Sequence, residues 1–479
     1  MGLAAAVYTV VALFQKSMAL LLLPFVTHVM PPDVYGLVSL VTVVGTVIGI
    51  LLCSPVENAV FRWAARETAE SEGILSVCAL YGLVGVPLLG VASSAVLWSL
   101  DGKILGVDVS SWSLVVLAAS LMAAGVYFGI PLLRARDQLA RFVLCSASSI
   151  IVNFSLKIWL VFIAKMGLEG WILSELASSA TLYLFVLAVA RPRIAGITGA
   201  VFGTLARYAL PLLPHRLAFW GLTSLSRPIM AMTASLHQLG LFSLAANCMA
   251  VSALLAGEIN RAVLVEYGRE NVTAPTPVTR GVARVQLLVA LVVPASLGFG
   301  VALFGPLIFA PEYEGAYPAM AVLLVAQCAY ALYLVPMNYL CQTLGDTRFS
   351  WLSSCAGAAT VLGILLALGD GTTAIAAAAV TALGYMVMAV VAFQTCARCG
   401  MRVAWRRLTP RVWVCTVLVV SFSFSVIALA SANRDVSIGV AVTGLALLAG
   451  MIGYSYRAPA RLFSDSYADE QEATAGWTR

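Results

Sequence analysis

The chain has 479 residues, of which 61% are hydrophobic and 10% charged, with a formal net charge of +6. A soluble globular domain carries about 25% charged residues, so the composition excludes a soluble enzyme and points to an all-α polytopic membrane protein. Ten cysteines are scattered, mostly inside apolar segments, where they pack as small hydrophobes, and no disulfide framework is expected. The lone Cys396-Ala-Arg-Cys399 has no second pair to complete a zinc site.

In chain order, apolar runs bounded by charge, Gly or Pro predict about fourteen transmembrane helices. They lie near residues 3–30, 35–56, 73–99, 112–132, 142–164, 170–190, 207–233, 238–258, 281–310, 315–341, 349–368, 372–394, 411–431 and 436–456. The first run has no basic stretch before it and no small-residue cleavage site after it, so it reads as a retained helix. Lys16 sits about halfway along it. An ammonium at that depth costs about 2.5–3.5 kcal/mol on insertion scales and marks a pathway or a watery interior.

Basic residues accumulate on the cytoplasmic side of a membrane. Loops after the even-numbered helices, with the tail, hold 21 of the 28 Lys and Arg residues, while loops after the odd-numbered helices hold only Lys103, Lys165 and Arg434. This split predicts that both termini are cytoplasmic. The outer loops are too short to fold into a catalytic module. The inner connection Glu266 to Arg280 reads as a flexible loop.

After Pro31-Pro32-Asp33 comes Tyr35-Gly36-Leu37-Val38-Ser39-Leu40, and Leu239-Gly240-Leu241-Phe242-Ser243-Leu244 repeats it 204 residues later. An even number of helices separates the two, so the halves run in the same sense, as in parallel-repeat transporters. The expected organisation is an N-terminal lobe over 1–200 (helices 1–6), a C-terminal lobe over 201–400 (helices 7–12), and helices 13–14 with a cytoplasmic tail over 401–479.

The second repeat also opens on a charged helix, with Arg216 near the Lys16 level and Arg227 further along. Eleven residues separate the two arginines, close to three turns, which places them on one face roughly 16 Å long. Pro211, Pro214 and Pro228 point to a broken helix of the kind that lines binding sites. Lys16, Arg216, Arg227, Lys157 and Arg62 are the candidate anion contacts, since Arg suits two-pronged phosphate or carboxylate recognition and Lys acts as a point charge. The blander reading is that the lysines snorkel and the arginines pair with buried carboxylates. Glu175 and Glu258 are counter-ions or proton carriers, His215 is a packed or titrating histidine, and Trp220 is a packing residue or a sugar-stacking ring.

No phosphate loop, metalloprotease motif or nucleotide-binding domain is present. Neither a cofactor nor a nucleic-acid partner is expected. The energy for any transport would come from an ion gradient, the membrane potential or the substrate gradient.

Four stretches carry a resemblance that spans nearly all of residues 8–400. They are Lys16 to Arg66 with its P-x-x-Y-G-L-x-S-L core and Phe61-Arg62; Tyr208-Ala-Leu-Pro-Leu-Leu-Pro214 leading to Gly240-Leu-Phe-Ser; Phe309-Ala-Pro-Glu-Tyr313; and Leu344-Gly-Asp-Thr-Arg348. On these the chain resembles the polysaccharide-transporter (Wzx-type oligosaccharide flippase) family of the multidrug/oligosaccharidyl-lipid/polysaccharide exporter superfamily. The resemblance implies two six-helix lobes that rock around a central cavity and pass a polyprenyl-diphosphate-linked oligosaccharide across a bacterial plasma membrane for polysaccharide biosynthesis. It also implies membrane lipids, a polysaccharide polymerase and glycosyltransferases as partners. By position, Lys16 matches the basic residue of the family's first helix, and Arg227 the arginine of its Asp-Arg pair, where this chain has Ser226. A lipid II flippase or a cation-coupled multidrug exporter of the same fold is the nearest alternative. The latter should carry acids in helix one or seven, and this chain has none there. A membrane glycosyltransferase or polymerase is disfavoured by the short outer loops, and a transport-dead structural homologue is the remaining alternative.

Overall fold

The computed structural model describes residues 21–64, 69–190, 194–210, 212–269, 276–345, 349–401, 403 and 405–457. Twelve helical spans among them are long and apolar enough to cross a membrane. Of the fourteen expected segments, the first is described only from residue 21, with 21–29 helical, and the seventh is divided into shorter helices. Lys16 lies outside the described residues.

The chain packs into two compact units. The first ends at Ser243 and includes Leu368–Thr373; the second takes Leu244–Ala367 and the chain from Ala374 onward. This division follows packing and is a different quantity from the 1–200, 201–400 and 401–479 division, which rests on the sequence repeat.

The first unit contains α1 (Pro32–Ala64), α2 (Ser71–Trp98), α3 (Val109–Ala135), α4 (Leu139–Ile163) and α5 (Gly167–Ala190). Helix α3 packs against α1, α2 and α5, and α4 packs on α5. Their shared core includes Val60, Ile74, Phe128, Leu132 and Val186. Small residues let the backbones approach: a Cβ on Gly125 would meet Leu182, and one on Gly129 would meet Val186, at 2.6 Å or less. Single π-helical turns at Tyr81–Gly85, Gly125–Gly129 and Ile158–Ile163 interrupt α2, α3 and α4.

The connection between α2 and α3 is a β-hairpin. Strand β1 (Lys103–Ile104) pairs antiparallel with β2 (Val107–Asp108). Its two-residue turn puts Leu105 at φ 54° and Gly106 at φ 81°, the doubly left-handed backbone of a type I′ hairpin turn. The Trp112 indole donates to the Ile104 carbonyl at 2.9 Å and fixes the hairpin to α3.

The seventh expected segment becomes α6 (Gly199–Ala209), α7 (Leu212–Ser224) and α8 (Ser226–Thr233). Proline has no N–H, so Pro228 cannot donate to the Ser224 carbonyl four residues back. Leu225 is accordingly a single turn residue between α7 and α8, its backbone still right-handed helical.

Helix α9 (Leu236–Gly268) runs from the first unit into the second. The second unit continues with α10 (Pro277–Ile308), α11 (Pro311–Thr343), α12 (Ser350–Leu368), α13 (Ala374–Arg398), α14 (Val412–Ala430) and α15 (Arg434–Arg457). Its closest pairings are α11 with α13, α14 with α15, and α10 with α11 and α14. All ten cysteines are free thiols.

Candidate functional site

Two charged side chains of the first unit, Lys157 and Glu175, sit on helices long and apolar enough to cross a bilayer. Lys157, near the end of α4, is 6% exposed. Its ammonium lies 3.8 Å from the centroid of the Trp171 ring and 2.5 Å from Oε1 of Glu175. Trp171 and Glu175 are four residues apart on α5, so one helix face presents an aromatic ring and a carboxylate to the same cation. A charge buried this deeply is tolerated only when it is paired.

Glu175 also borders a cavity of about 210 Å³ enclosed by α1, α3 and α5, whose wall includes Thr42, Thr46, Tyr127, Trp171 and Ser179. That volume is below the roughly 300 Å³ at which small-molecule sites begin. The cavity is mostly apolar, and Glu175 is the one carboxylate in its lining.

Arg216 on α7 donates to Oε2 of Glu57 on α1 at 2.7 Å, both side chains being 28% exposed. Trp220, four residues further along α7, donates its indole N–H to the Val43 carbonyl at 3.3 Å. Its polar edge is thereby committed to α1. Arg227, at the second position of α8, is 5% exposed and lies 6.0 Å from the centroid of Phe242. Arg216 and Arg227 stand on the adjoining helices α7 and α8, with Leu225 between them in right-handed helical backbone.

Arg62, at the end of α1, stacks over Tyr208 at 4.9 Å and Trp63 at 5.3 Å. The side chain of His215 lies outside the described residues. Glu258 on α9 belongs to the second unit and pairs with Arg261 one turn later at 2.8 Å. The structure thus brings Lys157 to Glu175 and Arg216 to Glu57, while Arg62, Arg227 and Glu258 stand in separate environments.

One polar cluster was not singled out from the sequence. In the second unit the Tyr267 hydroxyl donates to Oε1 of Gln286 at 2.6 Å, and Gln286 Nε2 donates to Oδ1 of Asn260 at 2.9 Å. The same Asn260 oxygen accepts from Asn338 Nδ2 at 2.6 Å. The cluster ties α9, α10 and α11 together. Its sequence signal was Gln286 and Asn338 inside otherwise apolar runs, with Asn260 just past the end of another between Glu258 and Arg261; a search for charge passes over them.

A family model described as "Polysaccharide biosynthesis protein" matches residues 25–307. The fold is similar to the solved structure of a lipid II flippase MurJ in its inward closed conformation, with a TM-score of 0.68, 10% identity, and coverage of 95% of this chain and 99% of that one. It is also similar to an inward-facing multidrug resistance MATE family transporter of the MOP superfamily, with a TM-score of 0.63, 14% identity, and coverage of 80% and 94%. At these identities the likeness is one of fold. A comparison with curated proteins found no match.

Proposed function

The chain belongs to the polysaccharide biosynthesis protein family, and from that premise we propose that it is a flippase moving a polyprenyl-diphosphate-linked oligosaccharide across a bacterial plasma membrane by alternating access. The observation that supports the reading is the set of cations in the first unit: Lys157, buried on a helix long and apolar enough to cross a membrane, Arg216 on α7 and the buried Arg227 on α8, joined in the sequence by Lys16. Such residues are expensive in lipid and mark substrate paths. A diphosphate is a dense, doubly acceptor-rich anion, and Arg matches it with two parallel N–H donors.

The carboxylates fit the same cycle. With no substrate bound, an unpaired guanidinium at this depth is destabilised, and Glu57 supplies Arg216 with a resident counter-ion. An arriving diphosphate displaces Glu57 from the guanidinium and adds at least two negative charges, which Lys16 and Arg227 balance. The lipid tail remains in the bilayer while the head group crosses. The loop asymmetry supports cytoplasmic termini, and the lobes that rock are those of the sequence repeat.

Native mass spectrometry of the purified protein with its co-purifying lipids tests the reading. Wild type is expected to retain a polyprenyl-diphosphate saccharide, and the Lys16→Ala, Arg216→Ala, Arg227→Ala triple variant to lose it. Retention of bulk phospholipid alone, equal in both proteins, removes the reading.

A further inference from the structure

We propose that the second unit carries a neutral saccharide subsite, formed by the free edges of the Asn260 and Asn338 amides. The proposal rests on the lipid-linked saccharide reading above and assigns the recognition of the sugar, as distinct from that of the diphosphate.

Tyr267, Gln286, Asn260 and Asn338 form a chain of hydrogen bonds that converges on one atom, Oδ1 of Asn260. Tyr267 is fully buried, while Gln286 and Asn338 are 5% and 4% exposed. A network that served only to join helices would close on itself, because an unpaired buried amide is destabilising. This one has two open ends. Nδ2 of Asn260 and Oδ1 of Asn338 have no protein partner among the described residues, and neither is a sealed atom. They are therefore open to water or to a polar ligand.

The two ends are complementary to one another. One is a donor and the other an acceptor, on amides held 2.6 Å apart at their inner atoms. A sugar hydroxyl both donates and accepts, and an acetamido group presents one N–H beside one C=O. Either meets this pair with both bonds made, whereas a phosphate, which only accepts, leaves the Asn338 oxygen facing an oxygen. The network bears no charge, and the neighbouring Glu258 and Arg261 neutralise each other. The site thus suits a neutral sugar.

Two further features locate it. The Arg261 side chain is 62% exposed, so water reaches this turn of α9. Tyr330 offers an aromatic ring nearby, its hydroxyl 4.0 Å from where a Cβ on Gly257 would stand, one turn before Asn260. Asn338 itself immediately precedes the π-helical turn Tyr339–Thr343, a local widening often found where a helix is shaped by function.

The test uses the full chain in lipid nanodiscs with two probes, undecaprenyl diphosphate and undecaprenyl-diphosphoryl-N-acetylglucosamine, at equal concentration in native mass spectrometry. Wild type is expected to prefer the sugar-bearing probe by about 10-fold, the ratio that one or two extra hydrogen bonds supply. In Asn260→Asp the accepting Oδ1 stays, so the internal network persists, but the outward donor is lost; the added carboxylate acts on both diphosphate probes alike and cancels in their ratio. There, and in Asn338→Leu, the preference should fall to about 1, and in Asn338→Leu, which adds no charge, retention of undecaprenyl diphosphate is unchanged. Equal binding of the two probes by wild type, or an undiminished preference in Asn260→Asp, overturns the subsite and leaves the flippase reading intact. If wild type retains neither probe above phospholipid, the flippase reading fails and the subsite with it.

Discussion

At the scale of single residues, the repeated Gly-Leu-x-Ser-Leu segments pack closely against one another's surroundings in the first unit. A Cβ on Gly240 would stand 1.9 Å from the Pro32 carbonyl oxygen, and one on Gly36 would stand 2.8 Å from the Leu236 carbonyl oxygen. Both obstacles are backbone, which cannot swing aside. Gly240→Ala is therefore expected to destabilise the protein by about 3 kcal/mol or more, the upper range of overpacking costs, read as a lowered melting temperature in detergent. The repeat was legible in the sequence; that its two copies touch was not, because glycine leaves no trace of which backbone it admits. Lys157 yields a second prediction. Glu175→Gln should cost about 3 kcal/mol by leaving the buried Lys157 ammonium unmatched, Lys157→Met less because the Glu175 side chain is 33% exposed, and the double variant should recover most of the larger loss. A thermal-melting double-mutant cycle measures the coupling, and additive losses would show that the pair contributes nothing as a pair. The sequence marked both residues as candidates, yet their pairing depends on how α4 and α5 are rotated, which no local pattern specifies.

At the scale of elements, prolines explain both what the sequence made legible and one contact it did not. Pro211, Pro214 and Pro228 announced a broken seventh segment, and three short helices stand there. Pro306 in α10 has the same missing donor, so the Ala302 carbonyl loses its partner four residues on. Arg434, the first residue of α15, supplies the replacement: its guanidinium donates to Ala302 at 2.6 Å and to Leu303 at 2.7 Å. From sequence, Arg434 was merely one of three basic residues in the outer loops. In the structure it clasps the appended helix pair to the kink of α10. Arg434→Ala should cost about 1–2 kcal/mol, reduced from the full value of two charge-assisted bonds because water reaches the group. Arg434→Lys should recover only part of it, since an ammonium lacks the two-pronged geometry. Thermal melting of the three proteins gives the order wild type, Lys, Ala; equal melting of Lys and Ala would reduce the arginine's role to its fork alone.

At the scale of the whole molecule, charge distribution makes a prediction about orientation that packing does not. Helix faces in lipid are apolar on both sides of the bilayer, so only the loops distinguish inside from outside, and the 21 to 3 division of basic residues does so. The hairpin at Lys103–Asp108 then lies outside, and the connection between α9 and α10 lies inside. Four of the ten native cysteines are only half-buried, Cys341, Cys355, Cys399 and Cys415, so labelling requires their replacement by serine first. In that background Asp101→Cys should react with a membrane-impermeant maleimide on intact spheroplasts, and Arg269→Cys only after permeabilisation. The reverse pattern would invert the molecule. The cations of α4, α7 and α8 would then be approached from the opposite leaflet, and export of a lipid-linked saccharide assembled on the cytoplasmic face would lose its starting point. Labelling at both positions on intact cells would instead indicate two orientations in one membrane, which a 21 to 3 bias should suppress.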